Sequence, residues 1–356
     1  MIPAWARGPA AALAASARGA CAVVVALRRG GERAVVPYGA TAFGGGEPVT
    51  ADTRFEIGSL TKCFTALLLA EQAARGEVAH GDPLGRFLPP EVLPRQRGGP
   101  ITLLHLATHT AGLPRLPPGW LAGAASQWFT NPYAAFTTDD LLRSLARTRP
   151  HARPGDRVRY SNFGVGLLGH LLTRAAPGGP EYGDLLAERV LGPLGLRRTG
   201  CAPGLAQATG HWHGRPRPSW LIPGLPGAGA LRSSAADLLT LLDALADGAP
   251  GGSPGGAGGS PHPAGGPLGA ALADAVRPRL ALRGGARRLA LVWNIRVRPD
   301  GAVYHHSGGT RGFTAFAGFV PERRTAVVAL ANSTPAADQA FLQCAYTTLV
   351  TLHREG

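Results

Sequence analysis

Lysine is nearly absent from this chain of 356 residues. It occurs once, at Lys62, so the other 36 − 1 = 35 basic side chains are arginines. Arginine stays protonated near neutral pH, whereas a lysine removed from water can lose its proton and act as a base. The single lysine is therefore a candidate catalytic group, and the alternative is a surface lysine retained by chance.

Long apolar runs are also missing. No stretch reaches the ~18 uncharged apolar residues that a membrane-spanning helix needs. Charged residues make up only 16% of the chain, but hydrophobic residues make up 45%, a balance that excludes a disordered chain and a coiled coil. The length suits one large domain or two lobes with a common core. We therefore expect a soluble globular protein without membrane partners.

Cysteines are few and far apart, and no two of them form a C-x-x-C pair. This spacing favours buried free thiols over disulfides or a metal site. The four residues are Cys21, Cys63, Cys201 and Cys344.

The first residues contain an alanine-rich run, PAAALAASA at 9–17, which is loosely similar to a secretion signal. Its preceding basic region is a lone arginine, Arg7, which is weak for a signal peptide. The run therefore predicts an N-terminal helix and a cytoplasmic protein. Export through a poor signal is the alternative.

The net charge is strongly positive, 36 − 22 = +14. Such a charge permits nucleic-acid binding, but the basic residues are scattered, and we find no zinc-finger spacing, RNP-like motif or basic heptad helix. An arginine-rich surface is the preferred interpretation, and no nucleic-acid partner is expected. Small anionic substrates remain compatible with the charge.

The element pattern predicts strands at both ends of the chain and helices in the middle. A β-hairpin is expected over 20–36, a helix over 60–75, and short helices over 101–108, 138–147 and 162–174. Later elements are a helix over 233–247 capped by Ser233 or Ser234, strands over 288–297, 302–306, 314–320 and 325–332, and a closing helix over 335–353.

This order predicts an α/β (α+β) fold, in which one antiparallel sheet is assembled from both chain ends and a helical lobe is inserted between them. The expected α/β lobe comprises residues 1–80 and 225–356, the mainly helical lobe comprises 81–224, and the active site lies between them. The segment 248–269, GAPGGSPGGAGGSPHPAGGPLG, is predicted to be a flexible surface insertion.

The strongest chemical motif is Ser59-Leu60-Thr61-Lys62, at the start of the 60–75 helix. Residues three apart share one face of a helix, so Lys62 can reach the Ser59 hydroxyl and take its proton. The helix N-terminus adds positive potential and a backbone N–H near the same oxygen. An S-x-x-K string alone is common, but this one contains the only lysine.

Two further motifs are weaker when taken alone. Tyr160-Ser161-Asn162 offers a phenol to relay protons and an amide to bind Lys62 or a substrate carbonyl, although a structural Tyr and a helix-capping Asn are the usual roles. His306-Ser307-Gly308-Gly309 follows an apolar strand, where the Gly309 N–H can complete an oxyanion hole with that of Ser59.

Taken in order, these three motifs resemble the class C β-lactamase and DD-peptidase group of serine enzymes, which also contains esterases and transacylases. The resemblance covers nearly the whole chain and includes FEIGSLTKCFTALLL, DPLGRFLP, ITLLHLATHTAGLP, VRYSNFGVGLLGHLL, LGPLGLRRTG and GALRSSAADLLTLL. It implies that Ser59 is the nucleophile, Lys62 its base partner and Tyr160 a general acid/base. Asn162 and His306-Ser307-Gly308 would position substrate, and no cofactor is expected.

One departure from the family concerns its K-T-G motif, which here reads His306-Ser307-Gly308. A mostly neutral histidine supplies less positive charge than the lysine that helps to bind a β-lactam carboxylate. Arg311 is a candidate to supply that charge instead. The histidines near 105–109, 211–213 and 305–306 lack carboxylate or cysteine partners in the sequence, so no metal site is predicted.

The sequence therefore predicts an enzyme that forms an acyl-Ser59 intermediate from a small-molecule ester or amide and passes the acyl group to an amine, an alcohol or water. A biosynthetic transacylase or esterase is preferred. A transacylase must shield the acyl-Ser59 ester from water, and four tryptophans that could form a wall of the cleft slightly favour this function. They are Trp120, Trp128, Trp212 and Trp220. The alternatives are a β-lactamase or D-Ala-D-Ala-type peptidase, and a non-catalytic binding protein on the same scaffold.

Overall fold

The computed structural model of the chain describes residues 1–120, 130–202, 206–252, 265–282 and 284–355. The strands of these residues are β1 (Ala22–Arg29), β2 (Glu32–Gly39), β3 (Phe55–Glu56), β4 (Gly210–Trp212), β5 (Arg215–Arg217), β6 (Arg232–Ser233), β7 (Leu280–Ala281), β8 (Arg287–Leu289), β9 (Asn294–Arg298), β10 (Gly301–Gly309), β11 (Thr314–Val320) and β12 (Thr325–Ala331).

The α-helices are α1 (Ala4–Ser16), α2 (Thr61–Ala74), α3 (Leu103–Ala107), α4 (Thr138–Ala146), α5 (Asn162–Ala175), α6 (Tyr182–Leu186), α7 (Pro226–Gly229), α8 (Ala235–Gly248), α9 (Gly266–Val276) and α10 (Ala340–Glu355). Short 3₁₀ turns cover Gly58–Leu60, Leu84–Arg86, Pro90–Val92 and Pro321–Arg323, and a π-helical turn covers Ala187–Leu191.

Eight strands form one antiparallel sheet in the order β2-β1-β12-β11-β10-β9-β8-β7. The N-terminal strand β1 pairs with the near-C-terminal strand β12, in a register that places Val23 opposite Ala331. The sheet is thus assembled from both ends of the chain, as the order of elements predicts. The α/β fold class with an antiparallel sheet and flanking helices is confirmed.

The sheet is buried on both faces because helices pack against each of them. Helix α8 lies on one face against β1, β11 and β12, and α1 and α10 lie on the other. Strand β1 shows the consequence, since Val24 joins the core on the α8 side while Val23 and Val25 join the core on the α1 side. Alternate side chains of a strand point to opposite faces, so an almost wholly apolar strand fits this layer.

Helix α2 is the central helix of the larger core and carries the site described below. All of its residues from Thr61 to Gln72 are buried. It packs against α5, α7 and α9. A helix that is apolar on every side is stable only when it is surrounded, and this enclosure holds its N-terminal turn in a fixed place.

Several predicted helices are confirmed, and so is Ser234 as the cap of α8, but the helix-capping role that the sequence offered for Asn162 belongs to Ser161. The Ser161 hydroxyl accepts the Gly164 N–H at the start of α5, and the Ser234 hydroxyl accepts the Asp237 N–H at the start of α8. The N-terminal helix is also present as α1, and it packs on β1 and α10. No helix within the described ranges has both the length and the apolar character required to cross a membrane.

Several boundaries differ from the sequence prediction, and two of them differ most. The single strand expected over 288–297 is wrong: β8 and β9 are separate strands, and the apolar residues between them form a tight buried turn in which Val292 has φ 66°. The closing helix begins at Ala340 and not at residue 335. Apolar composition alone does not distinguish a buried turn from a strand.

The predicted insertion 248–269 is too wide at its C-terminal end, because α9 begins at Gly266 and buries Leu268 in the core. Its residues 253–264 lie outside the described part of the chain. The two-lobe division at residues 81 and 225 stays a prediction.

Candidate active site

Ser59 lies in the 3₁₀ turn Gly58–Leu60 that leads directly into α2. Gly58 has φ 48°, a left-handed conformation that favours glycine. A Cβ at Gly58 would also lie 2.6 Å from the backbone O of Gly309. Glycine is therefore required before Ser59 both for the turn and for the close approach of strand β10.

Lys62 is completely buried, and its Nζ lies 2.9 Å from the Ser59 Oγ. The same Nζ donates to the backbone O of Ala228, at 2.6 Å, on the short helix α7. Loss of hydration lowers the pKa of Lys62 to about 7, and the nearby Arg115 guanidinium acts in the same direction. A large fraction of the amine is therefore neutral near pH 7, with a lone pair able to accept a proton.

Tyr160 contacts the other side of the same hydroxyl, since its Oη donates to the Ser59 Oγ at 2.7 Å. Burial raises the pKa of Tyr160 to about 12, so its phenol is protonated at neutral pH. Of the two groups next to Ser59, Lys62 is thus the one able to act as a base, and Tyr160 holds a proton to donate.

The Tyr160 ring is held in place by neighbours that sequence reasoning missed. The His109 ring lies 4.6 Å from it, centroid to centroid, and His109 Nδ1 accepts the Ser161 N–H at 3.2 Å. The Arg115 guanidinium lies 5.0 Å from the Tyr160 ring centroid. Both residues belong to the THTAGLPR segment, 108–115, and nothing in that segment's spacing indicated a contact with Tyr160.

Strand β10 closes the site from the side opposite α2. A Cβ on Gly308 would lie 1.9 Å from the Ile57 O and 2.9 Å from the Ser59 N, so only glycine permits this contact. The backbone of β10 is thereby brought against the turn that carries Ser59, which places Gly308 and Gly309 beside the nucleophile candidate.

We expect Gly308→Ala to lower kcat/KM on an activated ester by at least ~10², because the added methyl forces β10 away from the Ser59 N–H. Gly31→Ala is the matched control, since a Cβ at Gly31 meets nothing within 4 Å. Ester kinetics and circular dichroism of both variants are the measurements. A folded Gly308→Ala protein with unchanged kcat/KM would show that the approach of β10 does not matter for the reaction.

His306, which the resemblance matches to the family's lysine, carries no charge at neutral pH. Burial lowers its pKa to about 3, and the Lys62 charge acts in the same direction. Its Nδ1 lies 2.8 Å from the Ser307 O, and its ring centroid lies 6.4 Å from that of Tyr160. The expectation of a mostly neutral group at this position agrees with the structure.

Asn162 and Arg311 are placed less directly than the other candidates. The Asn162 amide donates to the Tyr133 Oη at 3.3 Å and has no described hydrogen bond to Lys62, while its Oδ1 is buried without a described partner. Arg311 lies near Tyr133 and Arg217, and it is not among the described residues that line the Ser59 cleft.

The cleft over Ser59 has a volume of about 570 Å³. Its described lining includes Tyr160, His306 and the backbone of 307–309, and its one charged residue is Arg115. Arg115 is therefore the charged side chain that the described lining places in this cleft, which its position in the sequence alone could not show, and the carboxylate-binding role of Arg311 stays a prediction.

The proposed tryptophan wall is not seen among the described residues of the cleft. None of Trp120, Trp212 and Trp220 lines the described cleft, and Trp128 lies outside the described residues. Trp120 and Trp220 pack instead around Tyr133, at centroid distances of 5.1 and 5.5 Å. Among the residues that the structure describes, no group of three or more His, Cys, Asp or Glu side chains is arranged to hold a metal ion.

Comparison with known proteins identifies the family of the chain. The family model described as β-lactamase matches residues 10–345. A β-lactamase of Escherichia coli K12 is 29% identical over 319 residues, which cover 80% of this chain and 77% of that protein. The D-alanyl-D-alanine-carboxypeptidase/endopeptidase AmpH of the same organism is 35% identical over 187 residues, 52% of this chain, so this chain spans about half the length of that relative (46%).

Solved structures show the same fold. A class C β-lactamase from Rhodobacter sphaeroides superposes with a TM-score of 0.78 at 25% identity, covering 97% of this chain and 99% of that one. A β-lactamase/D-alanine carboxypeptidase from Pseudomonas syringae superposes with a TM-score of 0.77 at 23% identity, covering 96% and 99%. The fold is therefore that of the serine β-lactamases and penicillin-binding proteins.

The fold and the Ser–Lys–Tyr cluster together define the class of serine hydrolases. Within that class, the chain belongs to the β-lactamase family.

Proposed function

We propose that this protein is a serine acyl-transfer enzyme that forms an acyl-Ser59 intermediate from a small-molecule ester or amide. The observation that supports it most is the position of the Ser59 Oγ, 2.9 Å from a buried amine and 2.7 Å from a buried phenol. A serine hydroxyl is a weak nucleophile until a base removes its proton, and this arrangement supplies both a base and an acid.

In the acylation step, the neutral Lys62 amine takes the Ser59 proton as the Oγ attacks the substrate carbonyl. The carbonyl π electrons move to oxygen, and the backbone N–H groups of Ser59 and Gly309 are proposed to bind this oxyanion. When the tetrahedral intermediate collapses, the bond to the leaving group breaks. Tyr160 gives its phenol proton to that group and regains a proton from the Lys62 ammonium. The net result is the transfer of one proton from Ser59 to the leaving group.

The second step reverses the first with a different partner. An amine, an alcohol or water enters where the leaving group departed and attacks the acyl carbon, while Tyr160 takes one of its protons and passes the phenol proton to the neutral Lys62 amine. Ser59 leaves with its proton restored. Hydrolysis and transacylation therefore share all of these residues and differ only in which acceptor reaches the ester.

We further propose that this enzyme is a biosynthetic transacylase or esterase. The proposal includes a cytoplasmic location for the protein, as the sequence predicts. The support is the neutral, buried His306 at the position where the family's β-lactamases carry a lysine. Shielding by tryptophans is not part of this support, because none of the described tryptophans lines the cleft.

Transfer and hydrolysis can be separated with one activated ester and rising concentrations of amine acceptors. A transacylase should form amide at the expense of free acid, and total turnover should rise if deacylation limits the rate. Amide and acid are both measured by chromatography, with the Ser59→Ala protein as the control for the uncatalysed reaction. An acid yield that no amine changes, with rapid ester cleavage, would identify an esterase instead.

A second candidate function is β-lactam or D-alanyl-peptide cleavage, favoured by the names of the relatives and of the solved structures above. It requires a group that binds the substrate carboxylate, and Arg115 is the charged residue in the cleft. A chromogenic cephalosporin and a D-Ala-D-Ala peptide test it directly. Opening of the β-lactam with an efficiency comparable to that for esters would contradict the transacylase or esterase proposal.

A further inference from the structure

The Ser59 cleft does not end at the catalytic cluster. A second cavity of about 470 Å³ adjoins it, and the two share the lining residues Ser307, Gln339 and Leu342. This groove runs between strand β9 and the C-terminal helix α10, where Arg296 and Arg298 form one wall. An elongated molecule bound at Ser59 can therefore extend past Ser307 into the groove.

The β9 wall of the groove is polar and cationic. Asn294, which lines the Ser59 cleft, and Arg296 and Arg298, which line the groove, occupy alternate positions of the strand and so share one face. Arg296 is exposed, and none of the described residues that line the groove is acidic. Arg298 has Asp300 as a neighbour, at 3.7 Å.

A second arginine increases the positive charge at Arg296. Arg287 on β8 stands directly opposite Arg296 in the antiparallel register, so the two side chains lie on the same face. Like charges in such positions repel and destabilise the sheet. The positive field also reaches the neighbouring strand β10. Burial is the larger cause that lowers the pKa of His305 to about 4, and the charge of Arg296 acts in the same direction. An anion in the groove would relieve this repulsion.

The direction of the groove indicates which part of a substrate lies there. In the proposed function Tyr160 protonates the leaving group, so that group lies on the Tyr160 side of the acyl carbon. The His306 ring on β10 lies 6.4 Å from the Tyr160 ring, centroid to centroid, and the next residue of that strand, Ser307, lines both the cleft and the groove. The acceptor must enter by the same side, because the second step reverses the first.

We propose that the β9–α10 groove binds the leaving group of the acyl donor, and then the acceptor, through a terminal carboxylate or phosphate held by Arg296. This inference rests on the proposed acyl-transfer function. Guanidinium groups bind both of these anions through paired hydrogen bonds, so the shared chemistry is a terminal anion on an extended group.

Three thioesters with the same acyl chain test this assignment. Their leaving thiols have equal length and end in a phosphate, a carboxylate or a neutral carboxamide. The wild-type protein should favour at least one anionic thioester over the neutral one by about tenfold in kcat/KM, as thiol release reports. The preference should fall as salt is added. The preferred anion distinguishes phosphate from carboxylate.

The Arg296→Gln variant should bring the ratio of anionic to neutral kcat/KM close to one, and Arg296→Glu should invert it. Arg7→Gln, on helix α1 and outside the described lining of both cavities, is the matched control and should retain the wild-type ratio. Mass spectrometry of acyl-Ser59 is measured in parallel. Acylation of Ser59 with a ratio that is the same in wild type and Arg296→Gln would overturn this inference alone. Failure of all three thioesters to acylate Ser59 would overturn the proposed function and this inference with it.

Discussion

Ser59→Ala is expected to reduce turnover of any activated ester by at least ~10⁴, since the variant lacks the oxygen that forms the acyl-enzyme. Covalent labelling by a fluorophosphonate should disappear as well. The fold should survive, because the Ser59 side chain caps no helix and alanine is compatible with the 3₁₀ turn that leads into α2. Lys62 keeps its contact with the Ala228 O in this variant.

A matched control for this experiment is Ser16→Ala, at the end of α1, where the lost hydroxyl contacts only the Leu13 O. Its ester kinetics and labelling should equal those of the wild type. Undiminished turnover and labelling in a folded Ser59→Ala protein would show that Ser59 is not the nucleophile. A protein that binds ligand without any turnover, in wild type and variant alike, would support the non-catalytic alternative.

Lys62→Arg is expected to lower kcat by at least ~10², because a guanidinium keeps the positive charge but cannot give up a proton near neutral pH. Since arginine is larger and the site is fully buried, Lys62→Met serves as a second variant that removes the amine in a similar volume. Circular dichroism establishes that both variants are folded. Both should lose activity, whereas a purely structural lysine would tolerate at least one of them.

The pH dependence gives the same residue an independent test. Burial lowers the pKa of Lys62 to about 7, and the base is the neutral amine, so kcat/KM of the wild type should rise as pH increases through about 7. This acid limb should be absent from the residual activity of Lys62→Arg. If the Lys62→Arg variant retained near-normal rates with the same limb, proton transfer would fall to Tyr160, whose pKa of about 12 would require a much higher pH.

Local patterns in the sequence were sufficient to predict those parts of the site whose residues are close together in the chain. The contact of Ser59 with Lys62 follows from the i, i+3 spacing at the start of a helix, and it is present in the structure. The hairpin around Gly30-Gly31 and the cap Ser234 are local in the same sense, whereas the cap of α5 was expected at Asn162 and is Ser161. The apolar turn between β8 and β9 was missed because its composition equals that of a strand.

The sequence by itself determined the family, the sheet built from both chain ends, and the Ser59–Lys62 pair with its lone lysine. Only the tertiary structure decided the protonation states, since the pKa values of Lys62, Tyr160 and His306 depend on enclosure by elements that are distant in the chain. Tyr160 reaches Ser59 across 101 residues, and the Ala228 O reaches Lys62 across 166. Arg115 in the cleft and Arg296 beside it are two of 35 arginines in one sequence, and packing alone shows which of them face the reaction.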